Sequence, residues 1–283
     1  TYWNQLKEDP MQLFFVLAIL FYLLSSAGYF AFLFLQRNLL QKIAFGLLSA
    51  GFACQSVVLA WMAVATGHMP VNNLHETLSV VAWTLSGAFL LLHIRLPVKV
   101  LGLYVAPLAA FMLLVAVQFP RELAQPQNLL KGFWLVVHIL TIFTGDAAFA
   151  LACGVGVLYL IQERSIKRKS TGFFFRRLPS LELLDNTGYA CVVVGFTMLT
   201  IGLITGMIYA KSVWGRMWSW DPKEVWSAIT WIYYAALLHE RLTVGWRGRR
   251  AAIMAIVGFG VLLFTFLGVN FLLKGHHGQF TRW

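Results

Sequence analysis

The chain has 283 residues, of which 59% are hydrophobic and only 12% are charged. Soluble domains are about 45–50% apolar and about 25% charged, so this composition excludes an ordinary soluble fold. The formal net charge is +11. In a membrane protein such an excess is typical of basic cytoplasmic loops, and we therefore predict no nucleic-acid partner.

The apolar residues come in blocks of about 20, the length of a helix that crosses the hydrocarbon core of a bilayer. No ten-residue segment alternates as the strands of a membrane barrel do. We therefore predict an all-α, polytopic membrane protein that forms a single membrane domain over residues 1–283. Its eight predicted spans are residues 11–35, 43–65, 78–94, 98–117, 133–161, 189–209, 222–238 and 251–273.

Charge gives the predicted orientation. Most of the 22 Lys and Arg residues lie in one set of alternate loops, which the positive-inside bias makes cytoplasmic. Both termini and residues 210–226 then lie on the outer face. The three cysteines, Cys54, Cys153 and Cys191, stand singly inside apolar blocks. Since no C-x-x-C spacing occurs, we predict packing residues rather than a redox, metal or covalent haem site.

Residues 210–226 contain an unusual density of tryptophan. Four lie within thirteen residues, namely Trp214, Trp218, Trp220 and Trp226. An aromatic belt at the water interface is one interpretation, but a belt usually has one or two such residues at each helix end. A flat aromatic surface that binds a planar macrocycle is the better match. Arg216, Lys211 or Lys223 would then pair with the propionates of a porphyrin.

The same segment contains a helix start. Asp221 at the N-cap, Pro222 at the first position and Glu224 at the third predict a capping box for the seventh span. A direct role of Asp221 in chemistry is the alternative, and we favour the cap. The sequence assigns no catalytic residue.

Histidines bracket the tryptophans in the sequence. His138 lies inside an apolar helix, where a polar group is costly without a partner, while His276 and His277 follow the last span. Imidazoles on both sides of an aromatic surface are typical of axial haem ligation. The sequence contains no close histidine pair such as H-E-x-x-H, so it does not indicate a zinc site. Asp146, two turns deeper than His138, either orients a ligand indirectly or bonds a neighbouring helix. The other histidines lie near helix ends: His68, His75, His93 and His239.

Several stretches resemble a known family. The run Trp214-Gly-x-x-Trp218-x-Trp220-Asp221-Pro-Lys-Glu resembles the tryptophan-rich signature, called the WWD domain, of haem-handling membrane proteins. Within that superfamily the chain is most similar to the CcsA (ResC) family of System II cytochrome c maturation. Supporting matches are Gly67-His68-x-Pro70-x-x-Asn73-Leu74-x-Glu76-x-Leu78, Leu178-Pro179-Ser180-Leu181-Glu182-x-Leu184-Asp185, Leu238-His239-x-Arg241, and Gly268-Val269-Asn270 followed by Gly275-x-His277.

The resemblance implies that haem b is bound non-covalently on the outer face between two histidines. By motif position these are His138 and His277, with the adjacent His276 as an alternative. His239 matches a histidine of an inner haem site, whose partner histidine lies on the companion subunit CcsB (ResB). The remaining residues expected to contact haem are Trp214, Trp218, Trp220, Asp221 and Arg216.

The implied function is haem lyase activity realised with a CcsB-like subunit. Haem would be exported and presented to the Cys-x-x-Cys-His of an apocytochrome c, with thiol-reducing proteins as further partners. The implied location is the inner membrane of a bacterium or a thylakoid membrane, with an extracytoplasmic active face. The alternative is a CcmC- or HemX-like haem-binding module without lyase activity. A quinone-linked protein would explain the aromatic residues but not the paired outer histidines.

Overall fold

A computed structural model of the chain describes residues 10–119, 132–169, 172–173 and 175–272. In these ranges the secondary structure is helical throughout, and seven helices are long and apolar enough to cross a membrane. An eighth helix, Pro222–His239, corresponds to the seventh predicted span. The prediction of an all-α, polytopic membrane protein is confirmed.

The chain divides into two compact units, unit 1 within residues 1–131 and unit 2 within residues 132–282. The single membrane domain therefore stays a prediction. The helices of unit 1 are α1 (Pro10–Leu35), α2 (Asn38–Thr66), α3 (Leu74–Arg95) and α4 (Gly102–Ala116), and a 3-10 turn (Lys99–Leu101) leads into α4.

Small residues let the helices of unit 1 approach closely. A Cβ on Gly28 of α1 would lie 2.9 Å from the Cβ of Ala44 on α2. Helix α3 starts at a side-chain cap, because Asn73 accepts a hydrogen bond of 2.8 Å from the backbone N–H of Glu76. The motif that contains Asn73 and Glu76 thus has a local structural role in starting α3.

The helices of unit 2 include two that are longer than a membrane requires. Helix α5 has 35 residues, or about 52 Å, and it continues beyond the fifth predicted span of residues 133–161. The last predicted span is divided by a π-helical turn. In chain order the elements are α5 (Phe133–Lys167), α6 (Leu181–Trp214), α7 (Pro222–His239), a π turn (Glu240–Val244), α8 (Arg249–Leu263), a π turn (Phe264–Gly268) and α9 (Val269–Leu272).

The core of unit 2 forms where α5 packs against α6 and α8, and a stacked ring pair also joins α5 to α7. A Cβ on Gly145 of α5 would lie 3.1 Å from the carbonyl oxygen of Gly195 on α6. One turn along α5, the ring of Phe149 stacks on the ring of Tyr234 of α7, with centroids 3.5 Å apart. These contacts hold α5, α6 and α7 side by side and so fix where their ends lie.

Candidate functional site

The tryptophan-rich loop joins α6 to α7 and is anchored at both ends. Gly215 ends α6 in the left-handed conformation, with φ +72° and its N–H donating to the carbonyl of Lys211. Glycine adopts this conformation without steric cost, which is why it commonly ends helices. Trp220 is also left-handed, with φ +59°. Bulky residues rarely adopt it, so the loop holds Trp220 in a strained backbone conformation.

The capping box predicted at the start of α7 is confirmed. The Asp221 carboxylate accepts a hydrogen bond of 2.9 Å from the Lys223 N–H. The Glu224 carboxylate accepts from the Asp221 N–H at 3.3 Å and from the Ser219 N–H at 2.8 Å. It also accepts from the Ser219 hydroxyl at 3.0 Å. Because Asp221 is buried, the cap fixes the last residues of the loop onto the helix.

The aromatic rings of the loop do not form the single flat surface that we predicted. Trp218 and Trp220 meet edge to face, with centroids 5.9 Å apart and an interplanar angle of 89°. Trp214 likewise meets Tyr209 at 76°. Trp220 is 78% exposed, whereas Trp214 and Trp218 are half-buried. The loop therefore presents an aromatic corner with one exposed indole.

His138 is held from α6 by its Nδ1 atom. It is the sixth residue of α5, it is half-buried, and Nδ1 lies 2.7 Å from the carbonyl oxygen of Gly202. Because a carbonyl only accepts hydrogen bonds, Nδ1 carries the proton, and in the neutral ring Nε2 carries the lone pair. Metal-ligating histidines are commonly oriented in this way, with one nitrogen donating to a carbonyl and the other facing the metal.

The close approach of α5 to α6 around His138 requires glycine at two positions one turn apart, because a Cβ on Gly202 would lie 2.5 Å from Cδ1 of Ile142. A Cβ on Gly206 would lie 2.7 Å from both Nδ1 and Cε1 of His138. Gly202 supplies the carbonyl that His138 binds. Our sequence reasoning missed both residues. The signal was present, since Gly202 and Gly206 form a G-x-x-x-G pair in an apolar helix, a pattern typical of close helix contacts.

Several other predicted site residues of unit 2 lie in the loop between α6 and α7, in α5 and at the start of α7. Gly206, which His138 contacts, lies eight residues, or about 12 Å, before the end of α6 at Trp214. Arg216 is exposed. Asp146 interacts electrostatically with Lys223 of α7, which favours a role between helices. His276 and His277 lie outside the described residues, and their roles stay predictions.

His239 lies at the other end of α7, separated from Asp221 by the 18 residues of that helix, or about 27 Å. Its side chain is exposed. Two residues later Arg241 forms a bidentate ion pair with Asp185 of α6, at 3.0 and 2.7 Å. Asp185 also accepts from the Gly248 N–H at 2.7 Å. The family-like stretches that contain Asp185 and Arg241, distant in sequence, thus meet in one contact.

Comparison with known proteins identifies the family. A family model described as Cytochrome C assembly protein matches residues 71–277. The chain belongs to this family. Cytochrome c biogenesis protein CcsA of Synechococcus elongatus is 34% identical in an alignment that covers 79% of this chain and 83% of that protein. The CcsA of Prochlorococcus marinus (strain MIT 9515) is 32% identical in an alignment that covers 97% of this chain and 95% of that protein.

The fold also resembles a solved structure, that of cytochrome c haem lyase CcmF. The TM-score is 0.65, with 18% identity over 95% of this chain. The chain spans about half of the length of that protein, 48%, so the likeness concerns the fold. Family membership makes cytochrome c biogenesis the process in which this membrane protein acts.

Proposed function

We propose that this family member binds haem b as its substrate beside the tryptophan-rich loop and presents it to an apocytochrome c. In this proposal His138 and His277 ligate the iron on the outer face, and a CcsB-like subunit completes the lyase. The membrane is the inner membrane of a bacterium or a thylakoid membrane. Thiol-reducing proteins would keep the acceptor cysteines reduced.

The observation that carries the proposal is the orientation of His138. Its ring is fixed by Gly202 and by the close approach of Gly206. The nitrogen with the lone pair is Nε2, the atom that haem iron would take from a histidine. His138 therefore has the tautomer and the fixed ring orientation that a metal-ligating histidine needs.

The loop supports the proposal through its exposed side chains. Trp220 is 78% and Met217 50% exposed, although the backbone on both sides is fixed by the Gly215 cap and the capping box. A rigid backbone that presents an indole loses little conformational entropy on binding a flat ligand. Arg216, exposed in the same loop, offers a guanidinium for a propionate.

Exposed His239 supports a second, inner haem site that this chain shares with a partner subunit. Iron with two axial histidines needs a second imidazole, and an exposed side chain at the end of a helix is accessible to another protein. The ion pair between Arg241 and Asp185 fixes the chain just after His239. The proposed inner site therefore lies between His239 and a histidine of the CcsB-like subunit.

The cysteines of this chain support an acceptor on another protein. Cys153 and Cys191 are buried and Cys54 is half-buried inside α2. In the proposed reaction each S–H of the Cys-x-x-Cys-His motif adds across a haem vinyl group. An S–C bond forms and the thiol proton moves to the other vinyl carbon, without net electron transfer. The residues of this chain bind and orient, while the vinyl groups of the substrate react.

Absorption spectroscopy of the purified protein tests the proposal, with and without its CcsB-like partner. We expect a Soret band, low-spin features in the reduced state and full extraction of the haem by acid acetone. Haem that resists extraction would mean covalent attachment to this chain. The absence of a Soret band from haem-replete preparations of the complex would refute the proposal.

A further inference from the structure

Unit 1 contains a repeated polar pattern that the proposed function does not use. In each of three helices, polar residues recur at intervals of seven or fourteen, so they share one face. All are buried except His93, which is half-buried. We name this set the polar column: Tyr22 and Tyr29 of α1, Gln41 and Gln55 of α2, and Ser79, Ser86 and His93 of α3.

Hydrogen bonds join the column between helices. Tyr22 Oη donates to Gln55 Oε1 at 2.7 Å, and Gln55 Nε2 donates to the carbonyl of Ser79 at 2.7 Å. These two bonds connect α1, α2 and α3 at one level. Near the other end of α3, Gln41 Nε2 lies 3.2 Å from His93 Nε2. Since the amide nitrogen donates, His93 Nε2 accepts and its proton is on Nδ1.

Three buried atoms of the column bond no other group of the described structure. They are Tyr29 Oη, Ser79 Oγ and His93 Nδ1. Side chains that served only to join helices would be satisfied by those helices. Buried polar atoms without a protein partner are destabilising and are ordinarily satisfied by internal water. We therefore expect internal water molecules along the polar column.

Titratable groups lie at both ends of the column. Glu76, one turn before Ser79 on α3, is a buried carboxylate that accepts from the Asn72 N–H at 2.8 Å. At the other end, His93 contacts Phe89, which also contacts Tyr29. Glu76 and His93 are seventeen residues apart on α3, or about 25 Å. That distance is close to the thickness of the hydrocarbon core, and such polar chains in membranes often mark proton relays.

We propose that the polar column is a hydrated proton path through unit 1, with Glu76 and His93 as its terminal proton acceptors. A proton is taken up at one end and another is released at the other end, so no electron moves and no other group is transferred. This activity goes beyond the proposed function, because it uses the helices of unit 1 and requires no haem.

Proton flux into vesicles tests the path directly. The full chain is reconstituted into potassium-loaded liposomes that contain a pH-sensitive dye, and valinomycin imposes a membrane potential. We expect wild-type vesicles to change internal pH faster than protein-free vesicles. Gln55→Leu, which removes both links at one level, should return the rate to that of protein-free vesicles. Ser49→Ala is the control, since Ser49 donates to the Phe45 carbonyl of its own helix and is not part of the polar column, and it should leave the rate unchanged.

A second variant keeps the test decisive if Gln55→Leu does not fold. Tyr22→Phe removes only the hydroxyl that bonds Gln55 and should slow the flux while circular dichroism and elution volume stay unchanged. Two results would overturn the proposal. One is wild-type flux equal to that of protein-free vesicles, and the other is a folded Tyr22→Phe variant that conducts like the wild type.

Discussion

Replacing Gly206 by alanine tests whether the contact of His138 with α6 sets haem affinity. An alanine Cβ would lie 2.7 Å from Nδ1 and Cε1 of His138, whereas ordinary contacts begin near 3.4 Å. The ring must therefore move by about 0.7 Å or the helices must separate. If the ring moves by this amount along the line of its 2.7 Å hydrogen bond, Nδ1 will lie about 3.4 Å from the Gly202 carbonyl oxygen. That distance is beyond the usual limit of such hydrogen bonds.

The expected effect on binding follows from the lost hydrogen bond. An imidazole freed from its carbonyl loses both its fixed tautomer and its orientation. Disturbing such partners of a metal-ligating histidine typically lowers metal affinity by about 10- to 100-fold. We expect Gly206→Ala to weaken haem binding within that range. The unfolding free energy should fall by about 1–3 kcal/mol, the usual cost of overpacking.

Haem titration followed by the Soret absorbance measures this effect. Gly260→Ala is the matched control, because a Cβ there would meet nothing within 4 Å. Both variants gain the same helix propensity, so a difference between them comes from the site. If Gly206→Ala and Gly260→Ala bind haem with equal affinity, His138 is not the ligand or its orientation does not matter.

The other predictions concern the loop and its sidedness. Asp221→Ala should lower the free energy of unfolding by about 1 kcal/mol and reduce cytochrome c maturation. Asp221→Ser should largely restore both, because Ser also caps helices. If Asp221→Ser does not restore maturation at normal protein levels, the carboxylate takes part in the chemistry. Trp218→Ala or Trp220→Ala should lower the haem content, measured by absorption spectra, while circular dichroism shows that the protein stays folded. Unchanged haem content in both variants would mean that the aromatic corner does not bind haem. A cysteine at exposed Met217 should react with an impermeant reagent from outside and one at exposed Arg168 only after permeabilisation, whereas the reverse would overturn the predicted topology.

Local features of the fold were predictable from the sequence. The eight long helices of the described residues follow from block length, and the capping box follows from three residues within four positions. The predicted spans were too short at several ends, because α6 continues beyond residues 189–209 in both directions. Such extensions carry polar residues outside the hydrocarbon core, where hydropathy no longer indicates a helix.

The contacts that shape the candidate site were not predictable in the same way. His138 bonds a carbonyl 64 residues away, and Arg241 bonds a carboxylate 56 residues away. Periodicity identifies the inward face of a helix but not the neighbour that meets it. The angle between Trp218 and Trp220 depends on the left-handed backbone at Trp220, for which a tryptophan gives no signal.

Chemical rescue of a His138 variant shows whether this side chain ligates the haem that is presented for attachment. Cells that carry His138→Ala are assayed for cytochrome c maturation with and without added imidazole, and the purified variant is examined by absorption spectroscopy. We expect the variant to lose low-spin haem and to mature little cytochrome, and we expect imidazole to restore both in part. An unchanged low-spin spectrum and normal maturation in His138→Ala without imidazole would contradict it.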